Sequence, residues 1–155
     1  MDFGIRAAQQ SDAAAVSELI RDLGMFRRLE DEDADVTAVR VASHLAMCLA
    51  DDSHLVLVAE APGGEVIGYL AAHWLPYLFL AGPEGHVSEL FVDESRRGTG
   101  VGSALLDVVV AEARARGCAR LMLSAIRTRE SYECGFYQHR GWVEREDVAN
   151  MVLQL

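Results

Sequence analysis

Hydrophobic positions change their period along the chain, and each change marks an element. Phe3–Arg6 alternates apolar and polar side chains, as a strand does. Val16, Leu19, Ile20 and Leu23 then recur three and four residues apart, the stripe of an amphipathic helix, with Ser11 or Asp12 as N-cap and Gly24 as stop. A second helical face carries Val41, Leu45, Cys48 and Leu49. Strand patterns return at His54–Glu60 and Val66–Leu75, and Pro62-Gly63-Gly64 between them reads as a hairpin turn. Leu80–Gly85 is a loop with Gly82, Pro83 and Gly85, and His86–Asp93 is the next strand. The glycine-rich stretch Arg96–Gly102 opens a long helix with Leu105, Val108, Val109 and Ala113 on one face and Gly117 at its end. Leu121–Ile126 reads as a strand, Ser131–Arg140 as a short helix stopped by Gly141, and Trp142–Arg145 and Met151–Leu155 as closing strands. The order βααβββαβαββ describes an α/β chain of the α+β type around a partly antiparallel sheet.

A length of 155 residues without internal repeat or low-complexity linker predicts one domain over 1–155. Half the residues (51%) are apolar and 25% are charged, the balance of a globular protein. The longest apolar run, Val66–Ala81, is broken by His73, Trp74 and Pro76, so no membrane span is expected. Met1–Gln10 lacks a signal-peptide pattern, which predicts a cytoplasmic protein. Cys48, Cys118 and Cys134 show no CxxC spacing, and the five His show no metal-ligand spacing, so neither a disulfide framework nor a metal site is expected.

Charge narrows the chemistry. The net charge is −10, and all 14 basic residues are Arg. Without Lys the chain supports neither Schiff-base catalysis nor a P-loop. Its acidity argues against a nucleic-acid partner, whose phosphates require positive charge, and allows a cationic one.

The most informative segment runs Val87-Ser88-Glu89-Leu90-Phe91-Val92-Asp93-Glu94-Ser95-Arg96-Arg97-Gly98-Thr99-Gly100-Val101-Gly102-Ser103. A strand enters a turn with Gly at alternate positions, and a helix starts at once. Glycine lets a ligand approach the backbone closely, and a helix start offers unpaired N–H groups and the positive end of the dipole. Together they form an anion site suited to a pyrophosphate, with Arg96 and Arg97 adding positive charge. The glycines at 98, 100 and 102 depart from the dinucleotide pattern GxGxxG, because position 103 is Ser.

Arg97-Gly98-Thr99-Gly100-Val101-Gly102 resembles the acetyl-CoA loop of the GNAT superfamily of N-acetyltransferases, Arg/Gln-x-x-Gly-x-Gly/Ala. Phe136-Tyr137-Gln138-His139-Arg140-Gly141-Trp142 resembles that family's second motif, at the expected spacing. The resemblance covers essentially the whole chain. It implies a mixed, mostly antiparallel central sheet flanked by helices. It also implies a ternary complex in which acetyl passes from acetyl-CoA to a primary amine of a small molecule or peptide. Residues 97–103 (Arg97, Gly98, Thr99, Gly100, Val101, Gly102 and Ser103) would hold the CoA pyrophosphate, and Leu90, Phe91 and Val92 would pair with the pantetheine arm. A homodimer is a family-level expectation.

Acetyl transfer needs a base for the attacking amine and an acid for the leaving thiolate. By resemblance the acid is Tyr137 and the base is Glu89, directly or through water. His86 is the rival base, because imidazole is the side chain whose unperturbed pKa suits the task. Strict alternation would place Glu89 with Val87 and Phe91, opposite Ser88 and Leu90. Relatives commonly carry an Asn ahead of the Phe-Tyr pair, but Arg129–Gly135 contains none, so that pantetheine contact is missing or made differently. This keeps a second function open, a non-catalytic acyl-CoA-binding sensor or regulatory module. The acidic run Glu30–Asp35 is a solvated face or an attractor for a cationic amine. Trp74, Tyr77 and Phe79 are core aromatics, a pocket wall or a dimer surface. Glu130 and Glu133 read as exposed carboxylates, and Cys134 as a buried bystander.

Overall fold

The alternating segments pair into one five-stranded sheet in chain order: β1 (Gly4–Ala7), β2 (His54–Glu60), β3 (Val66–Leu75), β4 (Glu84–Val92) and β5 (Arg120–Leu123). The first four strands are antiparallel neighbours, and β5 runs parallel to β4. The helices are α1 (Ala13–Asp22), α2 (Arg27–Glu30), α3 (Ala34–Cys48), α4 (Val101–Ala115) and α5 (Glu130–Glu133). This computed structural model describes residues 2–24 and 26–155, excepting the side chains of Arg27 and Arg28.

The chain divides into two compact units, Met1–Leu123 and Ser124–Leu155. In the first, the helices cover opposite faces of the sheet. On one face Val56, Val58, Tyr69 and Ala71 are buried with Val16 and Leu19 of α1 and Leu45 of α3. α4 packs on the other, where Leu57, Leu70, Ala72 and Val87 are buried, as are Val101, Leu105, Leu106 and Val109 of the helix. A Cβ on Gly68 would come within 3.2 Å of Val101 Cγ1, so glycine there admits the start of α4 close to the sheet.

Several expected details shift. Leu106 is buried on α4 whereas Val108 is 37% exposed, because the contact stripe runs through Val101, Leu105 and Val109. Gln10–Asp12 is a 3-10 turn, and its buried Asp12 accepts from Arg6 Nη1 at 2.7 Å and from the Gln9 N–H at 2.7 Å. Arg6 also reaches Glu60 Oε2 at 2.5 Å, tying β1 to β2.

The register between β3 and β4 carries a bulge. Ala72 faces Val87 and Ala71 faces Glu89, leaving Ser88 as an extra residue in β4. Residues directly opposite on adjacent strands share a face. His86, opposite His73, therefore points to the α1/α3 face, and so do Glu89, opposite Ala71, and Phe91, opposite Tyr69. Val87 points to α4. This corrects the strict alternation that grouped Glu89 with Val87.

In the second unit, α5 and a 3-10 turn at Gln138–Arg140 replace the single helix expected over Ser131–Arg140. Gly135 separates them in left-handed backbone, at φ 71°. The closing strands expected at Trp142–Arg145 and Met151–Leu155 are not strands among the described residues. Val143 and residues 151–155 are exposed instead, and alternation makes a strand only where a neighbour accepts its backbone. Glu144 is held by Arg127 and by the Tyr132 hydroxyl at 2.6 Å.

Candidate active site

The bulge in β4 builds the floor of a cavity of about 490 Å³ between α1, α3 and the β3–β4 pair. Ser88 and Glu89, consecutive in sequence, both line it, which regular alternation would forbid. The buried Tyr69 donates its hydroxyl to Glu89 Oε2 at 2.5 Å. Burial, and then the Glu89 charge, push the phenol far above its ordinary pKa, so it remains a donor.

A row of imidazoles crosses the sheet on the same face, with His54 opposite His73 and His73 opposite His86. The His54 and His73 rings meet edge-on at 4.6 Å. His73 Nε2 lies 2.7 Å from Ser88 Oγ, which in turn lies 3.3 Å from the Ala71 carbonyl oxygen. Burial, followed by the neighbouring His54 and His86, lowers the His73 pKa. Among the described residues no group of three His, Cys, Asp or Glu side chains is placed to hold a metal ion.

α3 presents Arg40, His44 and Cys48 to the cavity at one-turn spacing. Arg40 is paired with Glu32 at 2.5 Å, and Glu32 also accepts from Thr37 at 2.7 Å. Asp33 caps α3 by accepting from the Asp35 N–H at 2.8 Å. Two members of the acidic run are thus committed to structure. Burial, then the Glu89 charge, raise the Cys48 pKa and keep it a thiol.

β4 outruns its parallel neighbour. β5 pairs only with Glu84–Val87, so beyond that point no strand occupies this edge among the described residues. The free edge carries Leu90, Phe91 and Val92 and leads into the glycine turn. Asp93 caps a 3-10 turn at Glu94–Arg96, and Thr99 Oγ1 donates to the Arg96 carbonyl at 2.6 Å. Gly98 (φ 73°) and Gly100 (φ 95°) take left-handed backbone. The first helical bond of α4 runs from the Ala104 N–H to the Gly100 carbonyl at 2.9 Å. The N–H groups of Val101 and Gly102 precede it, without intrahelical acceptors. Arg97 lies 3.6 Å from Glu94 and Arg96 3.8 Å from Glu65, both exposed pairs.

Tyr137 belongs to the second unit. Burial raises its pKa, partly opposed by a hydrogen bond with Ser131, and its ring meets Phe136 edge-on at 5.0 Å. Glu130 and Glu133 are exposed. Cys134 is exposed too, correcting its reading as buried, because it follows a one-turn helix. The aromatic group divides: Trp74 is buried with the Arg116 guanidinium 5.0 Å from its ring, while Tyr77 and Phe79 are exposed and do not line the cavity.

Sequence reading missed Tyr69, Ser88 and His73. Their roles depend on strand register, and the bulge that sets it leaves no mark in residue type.

A free strand edge running into a glycine turn and a helix start, beside a cavity floored by a carboxylate, fits an acyl-CoA-dependent transferase. The chain belongs to the Acetyltransferase (GNAT) family, which it matches over residues 16–142. It is 32% identical to a probable glucosamine 6-phosphate N-acetyltransferase 2 of rice (Oryza sativa subsp. japonica), over 84% of this chain and 91% of that protein. It is 31% identical to an L-methionine sulfoximine/L-methionine sulfone acetyltransferase of Pseudomonas paraeruginosa, over 92% of this chain and 81% of the relative. The fold superposes on a glucosamine-6-phosphate N-acetyltransferase of Arabidopsis thaliana with a TM-score of 0.78 at 19% identity, covering 99% and 100% of the two chains. It superposes on a protein titled transcriptional regulator of Bacillus halodurans with a TM-score of 0.84 at 21% identity, covering 99% of both. The protein is an enzyme that transfers an acetyl group to an amine, and acetyltransferases of this family take that group from acetyl-CoA.

Proposed function

We propose that residues 1–155 act as one catalytic domain in the cytoplasm, and that the acceptor amine attacks acetyl-CoA from the cavity floored by Glu89. The observation that carries this reading is the placement of Glu89 in the cavity, beside the free edge of β4 and hydrogen-bonded to Tyr69. The free edge at Leu90, Phe91 and Val92 suits the amides of a pantetheine arm. Residues 97–103 suit a pyrophosphate, as glycine backbone and helix N–H groups meet there.

The bound ammonium first loses one proton through Glu89 to solvent; the neutral amine nitrogen then forms a bond to the thioester carbonyl while its second proton passes to Glu89. The tetrahedral intermediate then expels the CoA thiolate, and Tyr137 returns a proton to the sulfur. Solvent resets both groups. Glu89 is preferred to His86 because both face the same side of the sheet, yet only Glu89 lines the cavity.

The test is thiol release coupled to detection of the N-acetyl product, using Glu89→Gln, His86→Asn and Tyr137→Phe. Glu89→Gln and Tyr137→Phe should lower kcat by about a hundredfold or more with acetyl-CoA affinity retained. Full turnover in Glu89→Gln with loss in His86→Asn would transfer the base to His86.

A further inference from the structure

The cavity walls and their charges point to the kind of amine that enters. We propose that the acceptor is a primary amine with one positive charge and an apolar body; this rests on the reading of the Glu89 cavity as the acceptor site. Among the described residues, Glu89 is the one carboxylate lining the cavity. Arg40 also lines it, with its guanidinium held by Glu32 at 2.5 Å, and His44 sits on the same helix face. One ammonium therefore finds a partner at the floor, and a second finds no further carboxylate in the lining, because Glu32 is already engaged by Arg40. Burying an unpaired charge is the costliest thing an acceptor could do here.

Apart from Ser88 and the Tyr69 hydroxyl at the floor, the rest of the wall is mostly apolar and comes from separate elements: Ile20 of α1, Leu45 of α3, Val56 of β2 and Phe91 of β4. Phe91 is met edge-on by Phe26 at 5.7 Å and tilted by Tyr69 at 5.6 Å, an aromatic surface beside Glu89. Across most of that wall a sugar hydroxyl or a phosphate gives up water without gaining a hydrogen-bond partner, whereas a hydrocarbon chain or ring gains by leaving water. A volume of about 490 Å³ lies in the range of small-molecule sites.

The experiment measures thiol release from acetyl-CoA by the full chain. The probes are propylamine to octylamine, phenethylamine, 1,6-diaminohexane, spermidine, kanamycin and glucosamine 6-phosphate. The expected result is a kcat/KM that rises about fourfold per added methylene until the cavity is filled. Hexylamine and phenethylamine should exceed spermidine, kanamycin and glucosamine 6-phosphate at least about tenfold, the factor set by roughly one unpaired polar group. His44→Glu, at a solvent-accessible position on the cavity face of α3, should narrow the gap between 1,6-diaminohexane and hexylamine severalfold by supplying the missing carboxylate. A lead by any polycation or by the sugar phosphate, or an unchanged diamine gap in His44→Glu, overturns the inference and leaves acetyl transfer standing. CoA binding without thiol release for any amine overturns the proposed function, and this inference with it.

Discussion

Gly98 sits in the turn proposed to hold the CoA pyrophosphate, at φ 73°, and Gly64 turns the β2–β3 hairpin at φ 85°. A Cβ added at either position meets nothing within 4 Å, so alanine at either site carries the same penalty, left-handed backbone without a clash. That penalty is about 1–2 kcal/mol. In a chain of this size it lowers Tm by roughly 2–8 °C if it stays in the folded state. The two sites differ in what the strain does next. Residues 94–99 are all exposed, so the turn around Gly98 can relax to remove the strain. A relaxed turn no longer aims its N–H groups at a pyrophosphate, and acetyl-CoA must then restore them. The same 1–2 kcal/mol reappears as an acetyl-CoA Kd about five- to thirtyfold weaker. The assays are calorimetric titration with CoA and thermal unfolding of both variants. Gly98→Ala should lose affinity with a small Tm change, and Gly64→Ala should lose Tm with wild-type affinity. Wild-type CoA affinity in Gly98→Ala would refute the placement of the pyrophosphate at this turn.

Tyr69→Phe removes the hydroxyl that donates to Glu89 Oε2 and should cut kcat/KM by roughly tenfold or more, while the CoA Kd stays constant. Arg120→Ala strands the fully buried Glu84 carboxylate and should cost about 3–5 kcal/mol in urea unfolding, with CoA affinity unchanged. Asp12 titrates below its ordinary value, first because Arg6 hydrogen-bonds its charged form. Its contribution is therefore complete above about pH 4 and is lost as acidification carries it through the lower folded value. The stability gap between wild type and Asp12→Asn should close below that pH, and a gap that widens there would refute the assignment.

What could be read from residue order, and what could not, follows the range of the interactions. β2 and β3 begin and end where their alternation does, because each lies between two neighbours that hold its backbone. The turn at Arg96–Gly102 was legible for a local reason, since left-handed backbone at Gly98 and Gly100 is a property of the residues themselves. The face of Glu89 was not. One extra residue at Ser88 reverses the parity of β4, and only pairing with β3 reveals it. That reversal places His86 and Glu89 on one face and puts Ser88 in the cavity beside Glu89. The acidic run shows the same limit: its charge was evident, but Glu32 is committed to Arg40, eight residues on and within α3, a pairing that needs the helix in place. The terminal segments carry a strand's alternation without a strand's partner, so periodicity over-assigned them.

The central claim is that Glu89 accepts the proton of the attacking amine in the cavity opened by the β4 bulge. The pH dependence of kcat/KM, measured with acetyl-CoA saturating and a single amine acceptor, tests it directly. Wild type should show an acidic limb on which the rate falls as one carboxylate is protonated, and in Glu89→Gln that limb should vanish along with most of the rate. A Glu89→Gln enzyme that keeps both the limb and the rate would contradict the account.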